Sequence, residues 1–216
     1  MIDKELNENI NTHCVYSFFK RITDVVISSI ALIVLSPLIL ILSIIIFFQD
    51  GHNPFYKQVR IGKDGQPFGM FKFRSMVYQA DKILQSNPKL YKKYVDNGFK
   101  LPEGEDPRIT KIGAFIRKTS LDEIPQFLNI ILGEMTLVGP RPIIKKEMVE
   151  YGNRINEFLS VKPGALGLWQ ASGRANIGYP ERCDIELRYI EHASFWYDTK
   201  IFFACCISIL KKDGAF

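Results

Sequence analysis

The chain has 216 residues, 47% of them hydrophobic and 12% aromatic, with a formal net charge of +5. That length holds one domain, or one domain and an anchor, and so much apolar content excludes a disordered chain. The cations cluster beside apolar segments, which suits a membrane surface or a phosphate-bearing ligand better than a DNA groove, and no nucleic-acid-binding signature is present.

Residues 1–20 are polar and are expected to form a short arm. Lys20 and Arg21 then precede an uncharged run from Val25 to Phe48. As a helix its roughly 24 residues extend ~36 Å, enough to cross a ~30 Å hydrocarbon core. The run is too long for a signal-peptide core, and no small-residue cleavage site follows it. Ser36-Pro37 sits at its centre. Proline removes a hydrogen bond and kinks or breaks a helix, and the Ser36 hydroxyl is placed to bond back to a freed carbonyl. Each half, ~18 Å long, is too short to cross alone. Lys20 and Arg21 on one flank, and Lys57, Arg60 and Lys63 on the other, put both ends on the cytoplasmic face by the positive-inside rule. A spanning helix with a central proline and a helix that enters and turns back both satisfy these observations.

Residues 54–61 and 67–74 alternate around a turn at 62–65 and predict a β-hairpin, with Phe71 and Phe73 on one face and Lys72 and Arg74 on the other. Residues 76–96 read as helix broken near Asn87-Pro88, and 98–107 as loop.

The segment Arg117 to Gln126 carries two cations followed by the adjacent carboxylates Asp122 and Glu123. Pro125 and the apolar run 127–132, ending at Gly133, predict a short helix whose N-terminus lies at the pair. Backbone N–H groups there favour negative charge, so Asp122 is expected to stay ionised, as a nucleophile or metal ligand must. A simpler reading is helix capping, because Ser120-x-x-Glu123 fits a capping box.

Gly139-Pro140-Arg141-Pro142 is a rigid turn that orients one guanidinium for a carboxylate or phosphate, before a helix predicted over 143–160. Residues 162–174 are glycine-rich without a Rossmann or P-loop spacing. Trp169 and Arg174 there are candidates for a nucleotide contact, with Trp169 alternatively at a membrane interface. The stretch from Phe195 to Lys212 reads as an interfacial or core-packed helix. The four cysteines show no CxxC spacing and read as reduced thiols, and the three histidines are isolated, which argues against a catalytic triad or a histidine metal cage.

Taken together, these segments resemble the bacterial sugar transferase family, the monotopic phosphoglycosyl transferases. The resemblance covers about residues 16–212. It rests on Lys20-Arg21 with Asp24 ahead of Ser36-Pro37, Lys72 to Met76, Asp106 to Thr110, Arg117 to Gln126, Gly133-Glu134-Met135 and Val138 to Pro142. Lys162-Pro163-Gly164, Trp169-Gln170, Ser172-Gly173-Arg174 and Ser194 to Asp198 complete it. It implies an α+β chain: a polar arm (1–20), a re-entrant membrane helix (21–50) broken at Ser36 and Pro37, and a mainly helical cytosolic catalytic domain (51–216) carrying a short hairpin and interfacial amphipathic helices. The chain looks like the small catalytic-core form.

The resemblance further implies transfer of a sugar-1-phosphate from a UDP-sugar to polyprenol phosphate, with UMP released and Mg²⁺ required, on the cytosolic face of the inner membrane. Asp122 is the implied nucleophile, forming a covalent phosphosugar intermediate, and Asp122 and Glu123 are the expected metal ligands. Both substrates are anionic, so cations must neutralise the diphosphate. Arg117 and Arg141 are the first candidates, with Lys72, Arg74 and Arg174 behind them. The Trp169–Arg174 segment looks more like enzymes that transfer hexose-1-phosphates. The sequence leaves the oligomeric state open, a homodimer included. A catalytically silent scaffold and a Mg²⁺-dependent lipid phosphatase are the competing readings.

Overall fold

The computed structural model describes residues 2–97, 101, 104–173 and 177–211. The architecture is α+β. One helix, α1 (Ile2–Asp50), holds most of the N-terminal quarter and runs through Pro37 without interruption. The polar stretch expected as an arm over 1–20 is therefore helical from Ile2 and continuous with the apolar run, and no break separates the two halves at Ser36-Pro37. The carbonyl left without a donor by Pro37 is that of Ile33, four residues back, and the Ser36 hydroxyl donates to it at 2.7 Å. That bond satisfies the orphaned acceptor and lets the helical path continue.

The burial of α1 divides it lengthwise. Asp24, Ser28, Leu42 and Ile46 are buried, and their spacing puts them on one face. Ile30, Ile33, Val34, Ile41, Ile44, Ile45 and Phe48 are exposed on the other. Only 11% of its most apolar window is buried, so packing against the domain leaves most of this apolar surface uncovered.

The hairpin forms as expected: β1 (Phe55–Ile61) pairs antiparallel with β2 (Pro67–Phe73). The helical segment 76–96 is two helices, α2 (Ala80–Ser86) and α3 (Pro88–Asp96), and the Asn87 side chain caps the second by accepting from Leu90 N–H. Residues 98–100, 102 and 103 of the expected loop lie outside the described residues. Next come α4 (Lys111–Lys118), α5 (Gln126–Leu132) and β3 (Thr136–Val138). The helix expected over 143–160 is a 3₁₀ segment, Lys145–Arg154, followed by the single turn α6 (Ile155–Phe158), because Gly152 leaves helical backbone with φ +51°.

A second sheet was not legible in the sequence. β4 (Gly164–Leu166) pairs parallel with β3. The chain closes with α7 (Leu168–Ala171), α8 (Glu181–His192) and α9 (Phe195–Lys211). A Cβ on Gly164 would lie 2.1 Å from Gly139 N, so only glycine lets these two backbones meet. One core joins Met70, Ile130, Met135, Leu137, Tyr189, Ile201 and Cys205 beneath the second sheet. Another joins Leu42 and Ile46 of α1 to Phe73, Ile116 and Ile124, directly under the acidic pair.

Candidate active site

Asn129 positions the site. It is fully buried on α5 and reaches the edge of β2, accepting from Phe71 N–H at 2.8 Å and donating to Gly69 O at 2.9 Å. A side-chain amide thus reproduces the pairing of a neighbouring strand. The lock fixes the next residue, Lys72, over the turn before α5. Its ammonium donates to Glu123 Oε1 at 2.9 Å and lies 3.8 Å from Asp122 Oδ2.

Asp122 and Glu123 occupy a single 3₁₀ turn, Leu121–Glu123. Ser120 enters it with φ +55° and its hydroxyl makes no capping bond, so the capping box does not form and the pair is not spent on helix ends. Asp122 is buried, Glu123 less so. Burial pushes the Asp122 carboxyl up to about 6, with Glu123 adding repulsion and Lys72 and Arg117 pulling the other way. The sequence placed Asp122 where helix N–H groups would hold it ionised; desolvation outweighs that effect.

Glu123 opens on a narrow cleft also lined by Arg60, Gln126, Arg141 and Gln170. Its far wall is built on arginine. Arg141 is presented by the Gly139–Pro142 turn, whose position is set from below: both oxygens of the fully buried Glu186 accept from Arg141 N–H at 3.2 Å. The Arg141 guanidinium lies 5.5 Å from the centre of the Trp169 ring. Trp169 is buried, with Arg182 on it at 4.5 Å, so it does not reach a membrane interface. Arg182 ties Glu186 to Glu147, and Arg60 donates to Pro142 O at 3.1 Å. Burial, with the nearby charge of Arg141, lowers Arg60 to about 10. Burial raises Glu186 to about 7 against the pull of Arg182 and Arg141. Three guanidinium groups here share two carboxylates, and Arg60 Nε and Gln170 Oε1 are buried without a hydrogen-bond partner. The wall is short of an anion and of a hydrogen donor.

The expected cations thus separate. Lys72 and Arg141 face the acidic pair, and Arg117, in the last turn of α4, is near enough to lower Asp122. Arg74 does not face it: β2 ends at Phe73, and Arg74 turns to a paired contact with Asp50, 2.6 Å from Oδ1. Arg174 lies outside the described residues. Arg60, Gln126 and Gln170 were missed as site residues. In the sequence Arg60 counts only as a flanking charge, and its alternation in β1 is the available signal.

Among the described residues no three His, Cys, Asp or Glu side chains converge as a metal cage. Two adjacent carboxylates still fit Mg²⁺, which commonly binds through one or two carboxylates plus substrate phosphates. Burial is the chief cause of the raised Asp122, with Lys72 and Arg117 opposing it, and a divalent cation would further favour the carboxylate.

Residues of α1 hold the other side of this framework. Arg21 donates to Ile130 O and Ile131 O at 2.6 and 2.7 Å, capping the carbonyl end of α5. Asp24 accepts from Thr136 Oγ1 and Leu137 N–H, and Lys20 donates to Val138 O at 2.8 Å, just before the Arg141 turn.

Residues 15–212 match the family described as bacterial sugar transferase. The chain is 43% identical over 201 residues to an uncharacterized sugar transferase of Haemophilus influenzae, covering 91% of this chain and 42% of that protein. It is 40% identical to an undecaprenyl-phosphate galactose phosphotransferase of Salmonella typhimurium, covering 92% and 42% respectively. It is also 43% identical to the exopolysaccharide production protein ExoY of Sinorhizobium fredii, covering 91% and 88%. The chain therefore spans about two fifths of the first two relatives and most of the third. With the whole framework from Tyr16 to α9 inside the match, the chain belongs to the bacterial sugar transferase family.

Proposed function

We propose that the chain transfers a hexose-1-phosphate from a UDP-sugar to polyprenol phosphate and releases UMP, as an early membrane step of polysaccharide synthesis. The observation that carries this reading is the cleft, where Glu123, held by Lys72 beside Asp122, faces guanidinium groups that outnumber their carboxylates. A nucleoside diphosphate and a divalent cation would complete both. The names of the relatives support the substrate class: one is a galactose phosphotransferase, and another, 36% identical, is a UDP-glucose:undecaprenyl-phosphate glucose-1-phosphate transferase.

In this reading Arg141 and Arg60 take the diphosphate oxygens and Arg117 adds positive charge. An Asp122 oxygen attacks the sugar-linked phosphorus. The bond from that phosphorus to the bridging oxygen breaks, and UMP leaves with the bond's electrons. An oxygen of polyprenol phosphate then attacks the same phosphorus, forming the lipid diphosphate sugar and returning the Asp122 carboxylate. Lys72 holds Glu123 beside the attacking group. Mg²⁺, held by Asp122 and Glu123, would supply neutralising charge to the diphosphate. Covalent storage suits the location, because a soluble donor and a lipid acceptor can visit one site in turn.

The apolar helix supports a membrane location, and we infer that both flanks of its apolar run stay on one face. Both ends of its apolar run are fastened to the same polar domain, Lys20 to Asp198 and Asp50 to Arg74. One domain cannot sit on both sides of a bilayer. Cytosolic-face association follows from the flanking cations.

Donor incubated without lipid tests the proposal. UMP should appear in a single turnover, with one phosphosugar added to the protein, mapped to Asp122. An adduct on Glu123, the more exposed of the two, would exchange their roles. UMP release without any adduct would replace the covalent route by direct transfer or hydrolysis.

A further inference from the structure

We propose that the chain carries an anionic-phospholipid headgroup site, separate from the catalytic cleft, in the groove between the last turn of α8 and the first turns of α9. The groove has a volume of about 360 Å³ and is lined by Arg188, His192, Trp196, Tyr197 and Lys200. It shares no residue with the cleft around Glu123. Arg188 and Lys200 are exposed, and Trp196 is 74% exposed, an unusual cost for the largest aromatic side chain unless something covers it. His192 Nδ1 donates to Arg188 O, which leaves its other ring nitrogen for the groove.

The depth of the groove is set by α1. Asp198, two residues after Trp196, pairs with Lys20 and accepts from Tyr16 and Tyr189. Lys20 stands immediately before the apolar run, at the level where hydrocarbon gives way to headgroups. On α9, Trp196, Lys200, Phe203 and Ile207 fall on one face by helical spacing, while Ile201 and Cys205 pack inward. A tryptophan and two cations at that depth are the chemistry of an interface rich in anionic lipid. Of the carboxylates near the groove, Asp198 is engaged by Lys20, and Glu191 lies 3.9 Å from His192 Nδ1 and is exposed to solvent. The occupant is therefore the phosphate of an anionic phospholipid such as phosphatidylglycerol. This assignment rests on the membrane placement proposed above.

Trp196 is its own probe. The full chain is reconstituted in nanodiscs with brominated phosphatidylglycerol or brominated phosphatidylcholine at equal mole fraction, and tryptophan quenching is compared; Trp169 is buried and gives a constant background. Brominated phosphatidylglycerol should quench more strongly. Arg188→Gln or Lys200→Gln should each lower that preference about fivefold, the effect of one cation near a charged bilayer, and the double variant should abolish it. Equal quenching by both lipids overturns the anionic site. Loss of the preference on adding inorganic phosphate would identify a soluble phosphate site and overturn the lipid assignment. A second probe, Ile33→Trp in a Trp196→Phe chain, reports α1 separately. Quenching at position 33 with none at Trp196 sinks this proposal alone; silence at both sinks the membrane placement too.

Discussion

The two walls of the cleft are opposites in charge and in construction. The acidic wall is one turn of chain, Asp122 and Glu123 adjacent in sequence, with Lys72 brought onto it from β2. The basic wall is assembled from β1, the Gly139–Pro142 turn and α8, with Glu186 buried completely beneath Arg141. One wall sets two carboxylates against Lys72 with Arg117 nearby, and the other sets three guanidinium groups against Glu147 and Glu186. The difference teaches that the acidic side is a local feature of one turn, whereas the basic side is a charge network built from distant parts of the chain.

The largest break in the comparison removes the carboxylate proposed as nucleophile. Asp122→Asn should lose the covalent adduct and lower turnover by about a thousandfold or more, with the fold intact. Full UMP release from this variant would leave Asp122 as a metal ligand only.

Breaking the basic wall from beneath should cost stability instead. Glu186→Ala leaves the Arg141 N–H without its buried acceptor and Arg182 without one ion-pair partner, and should cost about 3 kcal/mol or more, read by thermal unfolding. Glu186→Gln, which keeps an acceptor for Arg141 N–H, should recover part of that loss. If both unfold as the parent does, the buried carboxylate does not support the turn.

Arg141→Lys tests the face of the same wall. A lysine keeps the charge and loses the planar fork, so turnover should fall tenfold or more, about 1.4 kcal/mol. An unchanged rate would reduce the Gly139–Pro142 turn to a structural element.

The pH dependence sharpens the acidic side. The folded Asp122 value of about 6 lies above its ordinary 3.8, so the folded, metal-free chain holds this proton more tightly than the unfolded chain. Its stability should therefore fall as pH rises from about 4 through 6 and level off above. Asp122→Asn should remove that fall, a difference of about 3 kcal/mol at neutral pH. Adding Mg²⁺ should flatten the wild-type curve by favouring the carboxylate. Identical pH curves for parent and variant would show that another group carries the effect.

The smallest effect is expected at Arg74. Because it pairs with Asp50 and not with the cleft, Arg74→Gln should leave adduct formation within about threefold, under 1 kcal/mol. A loss comparable to Arg141→Lys would return it to the site.

Much of this molecule was legible from local pattern. The apolar run with Ser36-Pro37, the 55–73 hairpin, the helix break near Asn87-Pro88, the carboxylate pair and the proline-framed Arg141 each depend on neighbours within a few residues. Local backbone preferences and side-chain periodicity act over that range. The Ser36 hydroxyl reaches the Ile33 carbonyl because that geometry is internal to one helix. Even so, local pattern misread the start of α1 as an arm, since a polar sequence can be helical when it extends an existing helix.

What only the tertiary structure decided is which distant charges meet. Lys72 and Arg74 alternate alike in sequence, yet Asn129 locks β2 so that Lys72 covers the acidic pair, while the strand's end releases Arg74 to Asp50. The parallel pairing of β3 with β4 and the Gly139–Gly164 approach join segments that no local signal links. The protonation of Asp122 likewise waited on packing. Position in the chain supplied the helix start, but desolvation is a property of everything packed around a carboxyl, and α4 and β2 reach the Leu121–Glu123 turn from two other parts of the sequence.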